Sequence, residues 1–376
     1  MPFEQINRHQ LRFKPLSERV NRVFIDNDEI PPGAEPKPLE DNQRAVLEET
    51  AERIQKARKA GKSRMLTFGA HAIKNGLSPV LARLIEEGWM THLATNGAGI
   101  IHDWEFAFQG QTSEHVAENV ARGEFGMWRE TGYYINLALA VGAYRGMGYG
   151  EAVGAMVEHE GLEIPAEDSL RSEIEHFAAQ DPGRAAAAAD LLDVIQTFRL
   201  PPGWLSVSHP FRSHGLQAKA YRLRVPFTGH PMIGHDIIYT HPMNHCAALG
   251  RAAQRDFLTF ARGVADLDGG VYLSVGSAVM SPMIFEKSLS MAQNLAIQQG
   301  GKIENHYILV VDLMESHWDW RQGEPPEDNP DYYLRYNKSF SRMGGTMRYL
   351  SLDNRDFLLT LSQILGPSPE TAENAS

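Results

Sequence analysis

The sequence predicts an α/β fold, a Rossmann-like parallel sheet flanked by helices. Short β-branched or aromatic runs alternate with amphipathic helical stretches toward both ends of the chain. The runs ending near Phe68, Thr95 and Val275 are each followed by a small, glycine-rich turn. Between them, over about 112–200, helical periodicities follow one another without a strand and mark a helical insertion.

Residues 1–41 read as an N-terminal arm and a connector. The Pro-rich stretch 31–38 can be neither helix nor central strand, because proline lacks the N–H and fixes φ. The arm is expected to pack on another element or a neighbouring subunit. The remainder, 42–365, reads as a single α/β nucleotide-binding-type domain, and 366–376 as a disordered tail. Asp41 is positioned to cap a helix to about Ala60, with apolar residues at Val46, Leu47, Ala51, Ile54 and Ala57. Strand 64–68, helix 77–88 and strand 91–95 follow, with 96–99 as a turn. After the insertion come strand 233–239, helix 252–267, strand 270–275, helix 281–299, strand 307–312 and helix 355–365. The stretch around Arg342, Gly344, Gly345 and Arg348 suits a turn and a surface helix or an anion-binding group, and the aromatic segment before it an ordered lid or a subunit contact.

Bulk properties narrow the function classes. A net charge of -11 argues against nucleic acid as partner, which needs a clustered basic face, and the one weakly basic run, Arg53–Arg64, reads as a solvated helix face. No run approaches the roughly 20 apolar residues of a membrane span, and the first residues lack a signal-peptide core. The single cysteine, Cys246, excludes an internal disulfide and fits a reducing compartment. A cytoplasmic protein acting on a small molecule is expected.

Chemistry is expected at the carboxyl ends of the strands, where open α/β sheets bind ligands. Three segments fall there: 69–76, 95–103 and 276–282. Gly97-x-Gly99 starts a dinucleotide fingerprint, but His102 stands at the third glycine position. Asn96 lies in the same turn. His71 and His102 are acid–base candidates. Asp103 and Glu105 at the second turn suit a ribose hydroxyl or an amine; either also suits a helix N-terminal acid held by the dipole, equally so for Asp103. His230, His235, His241 and His245 fall close together, which fits metal ligands, proton-transfer groups or ordinary polar loop residues. Pro242 forbids a helix through them, and no metal ligand set is assigned.

The turns TFGAHAIKNGL and ATNGAGIIHDWE, and the stretch GGVYLSVGSAVMSPMIFEKSLSMAQN, resemble the deoxyhypusine synthase family in order and spacing over about 60–110 and 225–315. The resemblance implies a Rossmann-like sheet, NAD bound at subunit interfaces and a homotetramer. It places Ala70, His71, Thr95, Gly99, Asp103, Gly276 and Ser277 at cofactor-facing positions. It puts His102 in place of one of two glutamates, and His245 near a family aspartate. The family's Ser-Trp-Gly-Lys segment has no counterpart: RMGGTMRYLSLDNRD contains no lysine, and imine chemistry requires an amine. Deoxyhypusine synthesis itself is therefore not expected. The leading expectation is an NAD-binding oligomeric enzyme performing transfer or oxidoreduction on a small polar substrate, with His71, His102 and His245 as catalytic groups and Asp103 orienting ribose or substrate. The alternatives are a metal-dependent hydrolase using His230–His245 and a non-catalytic nucleotide-sensing relative.

Overall fold

The computed structural model describes residues 3–367. Six strands form the central sheet: β1 (Arg64–Phe68), β2 (His92–Asn96), β3 (Phe227–His230), β4 (Val271–Val275), β5 (Tyr307–Asp312) and β6 (Thr346–Ser351). Every pairing among them is parallel, in the order β6-β5-β4-β1-β2-β3. Read from the other edge this is 3-2-1-4-5-6, the doubly wound Rossmann order, whose switch point lies between β1 and β4. The fold class expected from the sequence is thus observed.

Strand residues alternate between two cores. Leu66, Phe68 and Leu93 join one, with Leu47 and Ile54 of helix Asp41–Lys59. Met65, Ala94, Tyr272 and Ile308 join the other, with Phe260 and Phe285. All five residues of β1 and of β4 are buried, as central parallel strands require. Helices Cys246–Ala265 and Met280–Gln298 carry the chain between β3, β4 and β5.

Several elements depart from expectation. Glu40, not Asp41, caps the first helix, through a reciprocal capping box with Gln43; Asp41 is its first residue, favourable beside the positive end of the dipole. The expected turn 96–99 is a helix start: Asn96 caps helix Gly97–Gln109, its Oδ1 accepting from Gly99 N at 3.0 Å. Strand 233–239 does not form. The strand is Phe227–His230, and Pro231 and the left-handed Gly234 (φ 84°) break the chain before the 3-10 turn Ile237–Thr240. The surface helix expected near Arg348 is edge strand β6.

The stretch 112–200 contains the expected helices but is not free of strands: Gly161–Ile164 pairs with Gly203–Ser206 just beyond it in a two-stranded ribbon, and a further helix, Leu216–Arg222, follows. The N-terminal arm packs on its own chain: Asn21–Phe24 pairs antiparallel with Gln111–Glu114. The lid-like segment is ordered around Asp331, whose carboxylate accepts from His317 N and Trp318 N. The tail expected from 366 lies, from residue 368, outside the described residues. Among the described residues no helix is long and apolar enough to cross a membrane.

Candidate functional site

Phe68 pairs with Thr95 on one side and Val275 on the other, so β1, β2 and β4 end level and the three glycine-bearing loops leave one rim. Gly69 N donates to Val275 O at 3.0 Å, and Gly276 N to Val311 O at 2.9 Å. The glycines make room for the chain itself. A Cβ on Gly69 would lie 2.1 Å from Gly276 O, so the two loops touch backbone to backbone at the switch point. A Cβ on Gly99 would meet Thr95 Oγ1 at 2.2 Å, and that hydroxyl donates to Phe68 O at 2.9 Å. Gly276 is left-handed (φ +57°) and its missing Cβ leaves space for the Asn354 side chain.

A pocket of 220 Å³ opens among the loops after β1, β2 and β3. Its polar wall includes Lys74, His102, Glu105, His235 and Asp236, and the arm contributes Arg19. Arg19 holds Glu105 in a buried two-pronged ion pair. Burial pushes the Glu105 carboxyl up, but the Arg19 charge and its hydrogen bonds outweigh this and keep it below the ordinary carboxylate range. An ionised carboxylate only accepts, so Thr112 donates its hydroxyl proton to Glu105 Oε2 at 2.5 Å. The Thr112 oxygen then accepts from His102 Nδ1–H at 2.8 Å. This chain sets the His102 tautomer and leaves Nε2 as the acceptor nitrogen. Burial pushes His102 down to about 4, so the ring is neutral near pH 7.

Asp236 stands against the start of helix Gly97–Gln109; a Cβ on Gly97 would lie 2.0 Å from Asp236 Oδ2. Burial pushes this carboxyl up to about 7. Oδ2 has no hydrogen-bond partner, and neither have the buried hydroxyls of Tyr149 and Tyr239, both of which feel the Asp236 charge. A carboxyl near neutrality, lining the same pocket as a neutral imidazole, is suited to take up or release a proton.

The sequence candidates divide between this rim and the interior. Ala70 and His71 open the short helix Ala70–Lys74, and His71 is exposed. Thr95, Asn96, Gly97, Gly99, Gly276 and Ser277 line the strand ends, and Ser277 Oγ accepts from Ser281 N at 3.2 Å. Asp103 is turned into the protein. Its oxygens accept from Leu216 N at 2.8 Å and from Gln217 N and Nε2, both at 2.9 Å, so they cap helix Leu216–Arg222. His245 caps helix Cys246–Ala265 and faces Asp193 of the insertion, outside the pocket of His102.

The histidines at 230–245 do not share a site. His230 and His92 both bond Thr228 Oγ1 at 3.0 Å, and burial pushes each to about 3. His241 Nδ1 accepts from Met243 N and the ring packs on Phe13, while His235 is exposed at the pocket. Among the described residues no group of three or more His, Cys, Asp or Glu is arranged to hold a metal ion. Sequence reasoning picked out Glu105 beside Asp103 as a strand-end carboxylate, missed Arg19, quoted Lys74 within the first rim loop without a role, and noted Asp236 only as a neighbour of histidines.

No protein-family model matches the chain, and no curated protein matches it. Among solved structures it is similar to ArgZ, an arginine dihydrolase from the ornithine–ammonia cycle in cyanobacteria, at 14% identity over 86% of this chain and 32% of that one, with a TM-score of 0.40. It is similar to AgrE, in a ternary complex with ornithine and NAD+, at 14% identity over 90% and 34% of the two chains, TM-score 0.42. A conserved protein provisionally assigned as LOR/SDH, from Methanococcus maripaludis S2, gives 13% identity over 92% and 74%, TM-score 0.42. The chain spans about a third of the length of ArgZ and AgrE.

Proposed function

We propose that this chain is an enzyme that binds a nicotinamide dinucleotide along the carboxyl rim and acts by oxidoreduction or group transfer on a small polar molecule in the Lys74–His102–Asp236 pocket. The observation that carries the reading is the strand order, which puts the switch point between Gly69 and Gly276, the place where doubly wound sheets take dinucleotides. The donor set fits in part. The glycines are filled by the chain's own atoms, while the outer layer, from Ala70 and His71 to Ser277, offers the helix start and hydroxyl a phosphate-bearing ligand uses.

When bound, NAD supplies a hydride acceptor. His102 Nε2 accepts a hydrogen bond or proton from a substrate hydroxyl or amine, Asp236 holds or releases a proton, and Lys74 offers a cation to an acidic group. The kinship with deoxyhypusine synthase, a tetrameric assembly and catalytic parts for His71 and His245 remain proposals supported by the sequence resemblance. Asp103 is not retained as a ribose ligand, because its oxygens are engaged by residues 216–217.

Calorimetric titration of NAD+ and NADH tests the reading. Saturable binding is expected, and Ala70→Asp should abolish it by setting a carboxylate beside the pyrophosphate. An acid in a first helical turn leaves folding intact, so the variant's melting temperature should be unchanged. No binding up to millimolar concentration would remove the cofactor.

A further inference from the structure

Beside the amino end of β3, on a different part of the molecule from the rim pocket, lies a cleft of 580 Å³. One wall is helix Cys246–Ala265, which presents Arg255 and Arg262. Seven residues apart, they share a helix face and stand about 10 Å from each other. The opposite wall presents Arg224, just past helix Leu216–Arg222. Arg224 is left-handed (φ 57°), in a position after a helix end where glycine is the usual residue. An arginine kept there costs backbone strain, and such outliers cluster at ligand clamps.

These guanidinium groups are little compensated. The backbone N–H of Arg224 donates to Tyr221 O at 3.1 Å, but its guanidinium has no hydrogen bond or ion pair among the described residues. Arg255 donates to the Gly146 carbonyl at 2.6 Å, a neutral partner. Arg262 pairs with Asp266 at 3.1 Å, an exposed pair of little strength. Two carboxyls line the same cleft. Asp256 is turned inward, accepting from Gly150 N at 3.0 Å and Gly229 N at 2.6 Å, which leaves Glu151 as the outward one.

An adjoining cleft of 600 Å³ shares Gly146 and Arg255 and adds Arg145, Arg184 and Arg251, of which the last two are paired with Glu173 and Asp190. The gathering of arginine runs against the chain's net charge of -11. Both volumes lie within the roughly 300–1,000 Å³ of small-molecule sites.

We propose that the Arg224–Arg255–Arg262 cleft binds a small molecule carrying two or more phosphate groups, at a site separate from the carboxyl rim. Forked guanidinium donors suit phosphate oxygens. Their placement on two walls, with two of them about 10 Å apart on one helix, exceeds what a single phosphate spans.

Inorganic tripolyphosphate is the probe, titrated calorimetrically at low salt into the full chain. One site with sub-millimolar affinity is expected, weakened about tenfold or more by Arg224→Ala with Arg255→Gln. Both side chains are exposed, and an unchanged circular dichroism melt verifies folding of the variant. Ala70→Asp should leave this binding intact, so loss of the rim cofactor and loss of this site are read separately. No heat at 10 mM probe, equal binding by the double variant, or equally tight binding of citrate would overturn the assignment.

Discussion

Arg19 and Glu105 meet as a doubly hydrogen-bonded ion pair, Nη1 to Oε1 at 2.8 Å and Nη2 to Oε2 at 2.6 Å, with side chains 2% and 1% exposed. Thr131 Oγ1 also donates to Glu105, at 2.9 Å, so the carboxylate ties the N-terminal arm to the rim helix and to the insertion. Removing one partner of such a pair leaves an uncompensated buried charge. Arg19→Met should therefore cost about 3–5 kcal/mol in urea unfolding. Glu105 is depressed below its ordinary 4.5, so its contribution is present above that pH and lost as pH falls through the folded value. The gap between wild type and Arg19→Met should accordingly narrow in acid, on the low side of the ordinary 4.5. A gap that is constant with pH would contradict the ion pair.

Asp236 titrates in the opposite sense. Burial raises it from 3.8 to about 7, so the stability linked to its proton is full below 3.8 and lost as pH rises through about 7. Asp236→Asn keeps the shape and removes the ionisation. The variant should gain about 1–3 kcal/mol on wild type at pH 8 and little at pH 4. Asp256, also raised to about 7, remains in both proteins, so the slope of the variant should shrink without vanishing. Melting curves at the two pH values decide it; a variant equally displaced at both would mean that Asp236 is ionised throughout.

The parts of the fold readable in advance were those whose residue types agree with their surroundings. β1, β4 and β5 are runs such as Val271-Tyr-Leu-Ser-Val, buried on both faces, and hydrophobic continuity marks them. β3 was misplaced because Phe227-Thr-Gly-His contains a glycine and a histidine, whereas Ile233–Tyr239 is richer in β-formers. Local preference lost there to the break at Pro231 and Gly234. β6, at an edge, buries only Met347 and Leu350, three positions apart, and the half-buried Arg348 and Tyr349 between them hide a strand's period. The rim was legible through its glycines, though they admit neighbouring chain atoms and not a ligand. The pocket was not: Arg19 and Glu105 lie 86 positions apart, and no local pattern announces such a contact.

His102 is expected to be a neutral ring with its proton on Nδ1. Nitrogen-15 spectra of the imidazole should show this tautomer from pH 8 down to about 5, since burial holds the group near 4. Thr112→Val removes the acceptor and leaves Glu105 with Arg19 and Thr131. The tautomer ratio should then move toward the mixture of a free imidazole, with stability changing by about 1 kcal/mol. A wild-type ring protonated on Nε2, or one that titrates near 6.5, would break the Glu105–Thr112–His102 chain as described.

Gly97 and Asp236 should be coupled energetically. The ideal Cβ at residue 97 falls 2.0 Å from Asp236 Oδ2 and 2.5 Å from its Cγ, so Gly97→Ala must displace the carboxyl group. Alanine otherwise favours a helical position over glycine by roughly 0.5–1 kcal/mol. In the wild-type background the collision should dominate, giving a net loss of about 1–3 kcal/mol. With Asp236→Ala the obstacle is gone, and Gly97→Ala should become neutral or stabilising. The double-mutant cycle therefore predicts a coupling energy of about 1 kcal/mol or more. Additive effects would mean that the loop carrying Asp236 does not rest on this helix start in solution, and Asp236 would lose its place in the pocket of His102.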